Sequence, residues 1–121
     1  MDWRFTEDRP IWQQLTEQLT LRILKGEYPP GSKLPTVREL ANQAGVNPNT
    51  MQRAMAALEQ NGLAVANRTA GRTVTEDTAV IGAAKKERAR AAVAGCLQIL
   101  AGLGYSQEDA IVFIKEELNH E

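Results

Sequence analysis

Residues 34–63 read LPTVRELANQAGVNPNTMQRAMAALEQNGL, two short helical segments with one glycine between them. Thr36 followed by Glu39 is a capping box, in which the threonine hydroxyl accepts from the amide three residues on and the glutamate carboxylate reaches back to the threonine amide. Pro35 lies just outside it. Val37, Leu40, Ala41 and Ala44 then recur at the spacing of one helical face, and that face turns inward. Gly45 comes next, where a helix ends in the left-handed conformation that glycine adopts without steric cost. Val46 plugs the corner, and Asn47-Pro48 supplies a second N-cap with proline in the first turn of the next helix. This second helix buries Met51, Ala54, Met55 and Leu58 and closes at Asn61-Gly62.

Its opposite face carries Asn49, Thr50, Gln52 and Arg53. A helix-turn-helix protein lays the N-terminal part of its second helix in the major groove, where amide side chains pair with adenine and guanidinium groups with guanine. The same helix end presents unpaired amides and the positive end of the helix dipole, both suited to phosphate. Any one of these polar residues is as readily read as merely solvated. Four of them on the first turns of a capped helix, after a glycine turn, point to DNA instead. Charge is distributed to match. Residues 33–72 hold Lys33, Arg38, Arg53, Arg68 and Arg72 against Glu39 and Glu59, a net of +3. Residues 75–121 hold five basic and eight acidic residues, a net of −3. The overall charge of −1 therefore conceals a basic reader and an acidic tail.

The flanking segments build outward from that element. Residues 1–9, with Trp3 and Phe5 at alternate positions, read as a short extended arm lying on the fold. From Pro10 onward Ile11, Trp12, Leu15, Leu19 and Ile23 form an apolar stripe, with Asp8 before it and Lys25-Gly26 after it to complement the dipole and end the helix. Trp12 is read as a core residue, as a tryptophan in such a stripe usually is, and Met51 and Met55 as packing residues. Tyr28-Pro29-Pro30-Gly31 makes a rigid turn from which Lys33 and Leu34 lead into the capping box. After Gly62, residues 63–66 and 72–75 read as two short strands about a turn over 67–71.

Thr75-Glu76-Asp77-Thr78 offers N-cap candidates for a long helix running to about Ala101. Along it Ala89, Val93, Cys96, Leu100 and Leu103 step by four, three, four and three, a heptad spacing that suits a partner helix better than water. Gly102-Leu103-Gly104 breaks the helix. Ser106 with Asp109 makes another capping box, followed by an apolar face of Ala110, Ile111, Phe113, Ile114 and Leu118. Such a helical hairpin is too small to bury its own stripe. Residues 76–121 are therefore read as a dimerisation tail that pairs with its copy through Ala89, Val93, Cys96, Leu97, Leu100, Leu103, Ile111, Ile114 and Leu118. The alternative is a tail folded back on the reader within one chain. Cys96, on the stripe and away from cations, is read as a buried small hydrophobe rather than a redox sensor.

Five pieces of the chain carry a resemblance: Pro10-Ile11-Trp12-Gln13-Gln14-Leu15, residues 26–31, Leu34-Pro35-Thr36-Val37-Arg38-Glu39-Leu40-Ala41, Gly45-Val46-Asn47-Pro48-Asn49-Thr50 and Leu58-Glu59-Gln60-Asn61-Gly62-Leu63. In order and spacing they resemble the GntR family of bacterial transcription regulators, and the short tail resembles its YtrA branch. The resemblance implies a mainly α fold: a winged helix-turn-helix over 10–75, three helices plus a two-stranded β wing, followed by a small two-helix dimerisation tail. It places the helix-turn-helix at about 36–61 and the wing at about 63–75, with the wing tip along the minor groove or backbone and Arg68 and Arg72 flanking the turn. The DNA-binding set it implies is Lys33, Thr36, Arg38, Asn47, Asn49, Thr50, Gln52, Arg53, Arg68, Gly71 and Arg72. Of these Arg38 faces phosphate or a guanine near the groove wall, Asn49, Thr50 and Gln52 reach bases or adjacent phosphates, Arg53 does either, and Asn47 with Pro48 sets the helix entry. Family wings usually carry two glycines, whereas Thr69 and Ala70 here precede a single Gly71, and Thr73 replaces the usual aromatic. A wing is expected, with a weaker grip.

The function expected is sequence-specific binding of double-stranded DNA by a homodimer at a palindromic or near-palindromic operator, which the resemblance makes a transcription regulator and a repressor. A helical adaptor module that uses the same fold to bind another protein is the second reading, kept open by the small positive excess and the imperfect wing. Catalysis finds little to hold. The single histidine, His120, stands next to the last residue, no ligand cluster or nucleophilic set accompanies it, and no phosphate loop appears, so neither an enzyme nor a cofactor or metal is expected. A small-molecule effector stays unidentified, with room only for a crevice at the dimer interface. One cysteine, no N-terminal signal segment and no long apolar run predict a cytoplasmic protein off the membrane.

Overall fold

Among the described residues, 3–120 of the computed structural model, the elements run α1 (Ile11–Leu24), α2 (Val37–Ala44), α3 (Pro48–Gln60), β1 (Ala64–Asn67), β2 (Gly71–Val74), α4 (Thr78–Gly102) and α5 (Gln107–Leu118). Met1 and Asp2 of the expected arm lie outside the described residues. Both start signals at the centre of the chain act as their residues dictate. The Glu39 amide donates to Thr36 Oγ1 and the Thr36 amide to Glu39 Oε1, each at 3.1 Å, which completes the capping box of α2. Gly45 ends that helix at φ 69°, ψ 36°, and the Asn49 amide donates to Asn47 Oδ1 at 2.7 Å to open α3. Thr36→Ala removes one partner of an orphan amide, so it is expected to lower the unfolding free energy by about 1 kcal/mol, measured by urea denaturation.

Residues up to Ala84 form one compact unit, and those from Lys85 onward form another. In the first, α1 contributes Leu15, Leu19 and Ile23, α2 Leu40 and Ala41, and α3 Met51, Ala54, Met55 and Leu58 to a single core closed by Leu34, Leu63, Ala64 and Val74. Trp3 and Phe5 pack against it. The segment before α1 is held down by glutamines of that helix: Gln14 Nε2 donates to the carbonyls of Thr6 and Arg9, and Gln18 Nε2 donates to that of Arg4. Asp8, expected to complement the α1 dipole, does something else. Its carboxylate accepts from the Thr6 hydroxyl, which holds it below the usual carboxylate range, and Pro10 occupies the N-cap position with no side-chain bond. Trp12, expected in the core, is only half-buried.

The hairpin differs by one residue from expectation. Ala64 pairs with Val74, Val65 with Thr73, Ala66 with Arg72 and Asn67 with Gly71, leaving Arg68, Thr69 and Ala70 as a three-residue loop. Gly71 at φ 75° supplies the left-handed residue that such loops need, so the strand resumes at the glycine itself. Beyond the two strands an isolated bridge joins Lys33 to Thr73. The Leu34 amide donates to Arg72 O at 2.9 Å, the Val74 amide to Ser32 O at 2.8 Å and the Gly31 amide to Val74 O at 3.0 Å, so the chain after the diproline turn lies along β2.

The first turns of α4 belong to the same unit, where Val80, Ile81 and Ala84 pack against the core. Its start is fixed by Asp77, whose carboxylate accepts from the Ala79 amide at 3.0 Å. In the second unit the Ser106 hydroxyl accepts from the Asp109 amide at 3.1 Å to open α5, Ala110 is buried, and the Tyr105 and Phe113 rings lie 5.5 Å apart. Most of the remaining apolar surface of this unit is open. Val93, Ile99, Leu103 and Leu118 are 59%, 69%, 70% and 78% exposed. Ala89 and Ile111 are exposed as well, whereas Leu97, Leu100 and Ile114 are half-buried. Cys96, expected to be buried, is exposed in the single chain, because the stripe it belongs to has no covering element there. Among the described residues, no helix is long and apolar enough to cross a membrane.

Candidate nucleic-acid interface

The face of α3 that does not enter the core carries Asn49, Gln52 and Arg53, all exposed, with Thr50 half-buried beside them. Asn47 and Thr36 are present but committed: each side-chain oxygen accepts from a backbone amide of the helix it caps. Both remain exposed, and they set where their helices begin. The Thr36 amide, followed by its hydroxyl, holds the Glu39 carboxyl below the usual range, so this acid stays charged and in the cap. Arg38 is exposed on the first turn of α2.

Arg53 is not free-standing. Its guanidinium carbon lies 4.1 Å from the centroid of the Trp12 ring, which places the first turn of α1 under a side chain of α3. That contact explains why Trp12 departs from its expected place in the core. On the other flank, Lys33, Thr36, Gly71 and Arg72 line one cleft of about 290 Å³ between the start of α2 and the hairpin. Arg72, expected to flank the turn as a phosphate or minor-groove ligand, donates from Nε to the Glu59 carboxylate of α3 and is largely covered. It ties the hairpin to the end of α3. At the hairpin tip Arg68 is exposed, and Asn67 Oδ1 accepts from the Thr69 amide and hydroxyl across the loop. Trp12 and Glu59 are the residues that sequence reasoning missed, since nothing local marks a ring or an acid for a partner about forty or thirteen positions away.

A helix-turn-helix whose second helix has one buried and one polar exposed face, flanked by a hairpin, defines a winged-helix DNA-binding protein. Residues 12–74 match the family of bacterial regulatory proteins, gntR family, and the chain belongs to that family. It is 34% identical over 115 residues to the uncharacterized HTH-type transcriptional regulator YhcF of Bacillus subtilis, covering 95% of both chains. The HTH-type transcriptional repressor YtrA of the same organism is 41% identical over 68 residues, 56% of this chain and 52% of that one. Among solved structures, a GntR family transcriptional regulator from Listeria monocytogenes superposes with a TM-score of 0.84 at 33% identity, over 93% of this chain and 98% of that one. AraR(DBD) in complex with operator ORR3 superposes with a TM-score of 0.53 at 29% identity, over 62% and 88%. The chain is therefore a DNA-binding transcription regulator of the GntR family, a family of regulators and not of enzymes.

Proposed function

We propose that this regulator acts as a homodimeric repressor, in which two copies of α3 enter successive major grooves of a near-palindromic operator while the hairpin tips rest on the backbone. The observation that carries the reading is the division of α3: Met51, Ala54, Met55 and Leu58 are spent on the core, and Asn49, Gln52 and Arg53 stay exposed on the other side. Amide and guanidinium groups are the side chains that pair bidentately with purine edges, and a core-anchored helix presents them in fixed register. The open apolar residues of the tail, Val93, Leu103 and Leu118 among them, supply what a second copy would cover.

Within this reading Arg68 serves the backbone alone. It sits at the exposed loop of a hairpin and has no place on the reading helix. Arg68→Ala should weaken binding to every duplex alike and lower the slope of log K against log salt by roughly one. Gel shifts of operator and random duplex across a salt series measure both quantities. Equal slopes for the two proteins would remove Arg68 from the contact surface.

A further inference from the structure

The stack of Arg53 on Trp12 joins a reading side chain to a helix that has no other part in the interface described above. Arg53 is exposed and projects from α3 next to Gln52, while Trp12 belongs to the first turn of α1 and is half-buried. The backbone under the ring is secured, since Trp12 O accepts from the Thr16 hydroxyl at 2.7 Å and α1 is anchored in the core by Leu15, Leu19 and Ile23. A free arginine samples many rotamers and loses that freedom on binding. With an indole against its face, the guanidinium keeps its in-plane N–H donors available, and those are the donors that pair bidentately with guanine O6 and N7. A phosphate, exposed at the groove wall, can be met from several directions by one or two N–H groups, whereas guanine O6 and N7 lie side by side in one base plane and fix the direction of the fork.

We propose that Trp12 is a positioning residue for Arg53, holding its guanidinium in the direction that reads a guanine edge, so that α1 takes part in base choice without touching a base. The inference rests on the reading of α3 as the base-contacting helix. Three variants test it in the full chain: Trp12→Leu, which keeps an apolar side chain, Trp12→Phe, which keeps an aromatic face, and Arg53→Lys, which keeps the charge but loses the fork. Binding is measured on the wild type's selected duplex and on single-base variants of it, across salt. In the DNA-free protein, the Arg53 Nε–H proton is followed by NMR, where ring current shifts it upfield in the wild type and in Trp12→Phe but not in Trp12→Leu.

The expected result is that Trp12→Leu and Arg53→Lys both lose preference for guanine at the same position, with Trp12→Leu weakening the preferred duplex about two- to fivefold. Trp12→Phe restores most of the preference, and the salt slope is unchanged in Trp12→Leu. Three results overturn the inference. If Arg53→Lys loses the preference and Trp12→Leu keeps it, α3 reads bases without help from α1. If the salt slope falls while base preference stays, Arg53 serves a phosphate. A wild-type protein that selects no sequence at all removes the reading of α3 itself, and the inference with it.

Discussion

Val93→Glu combined with Leu103→Glu is expected to yield a monomer that holds a two-half-site operator about 10²- to 10⁴-fold more weakly than the wild type. Both residues are more than half exposed in the single chain, so the carboxylates meet water there and leave α4 intact. In the proposed dimer the same positions would face apolar partners, and burial of an unpaired charge opposes association strongly. Fully burying one such aliphatic side chain is worth about 1.5–3 kcal/mol, so a handful of tail residues is enough to hold two copies together. Once they are apart, each reader binds its half-site alone and the advantage of the linked second site disappears. Light scattering on a sizing column and a titration with operator measure the two effects. A variant with dimer mass and wild-type affinity would show that the open stripe of the tail has another purpose.

Leu58→Ala is expected to cost about 2–5 kcal/mol, most of the stability margin of a small domain. Leu58 is fully buried near the end of α3, among side chains of the core that α1 and α2 complete. Removing its branched end leaves a hole that the capped helices on either side are poorly placed to fill, because their registers are fixed by Thr36, Gly45 and Asn47. A drop in Tm of roughly 10 to 30 °C is the corresponding reading by calorimetry. Leu58→Met, close in volume, should cost less than about 1.5 kcal/mol. Asn49→Ala and Gln52→Ala on the far face of the same helix should stay within about 0.5 kcal/mol, so stability and the proposed DNA reading separate by face along α3.

What was legible in the sequence is what is written within four residues of itself. The hydroxyl of Thr36 and the carboxylate of Glu39 meet because they lie one turn apart, and Gly45, Asn47 and Pro48 set a turn whose geometry each residue favours alone. The core face of α3 followed from spacing for the same reason: all four residues expected inside, Met51, Ala54, Met55 and Leu58, are buried. Contacts made across the fold left no such trace. The Ser32–Leu34 stretch shows too few residues for a strand pattern and pairs only because β2 presents an edge to it. Trp12 lies on the apolar face of α1 by spacing, yet its ring is claimed by Arg53, whose position depends on how α1 and α3 pack. Arg72 flanks the turn by sequence alone, and its pairing with Glu59, a residue on another element, depends on how the hairpin packs on α3. Cys96 shows the limit from the opposite side: heptad spacing marks an apolar stripe but not what covers it, and the cysteine expected to be buried is exposed.

Selection of bound sequences from a randomised duplex pool, run in parallel for the wild type and Gln52→Ala, tests the assignment of base reading to α3 most directly. Gln52 is exposed on the polar face of α3 and has no part in a cap or the core, so its loss leaves the fold unchanged. The wild type should return a near-palindromic consensus, and Gln52→Ala the same consensus with preference relaxed at one position in each half, by about 1–3 kcal/mol of discrimination. Identical consensus sequences from the two proteins, with the same strength of preference at every position, would contradict it.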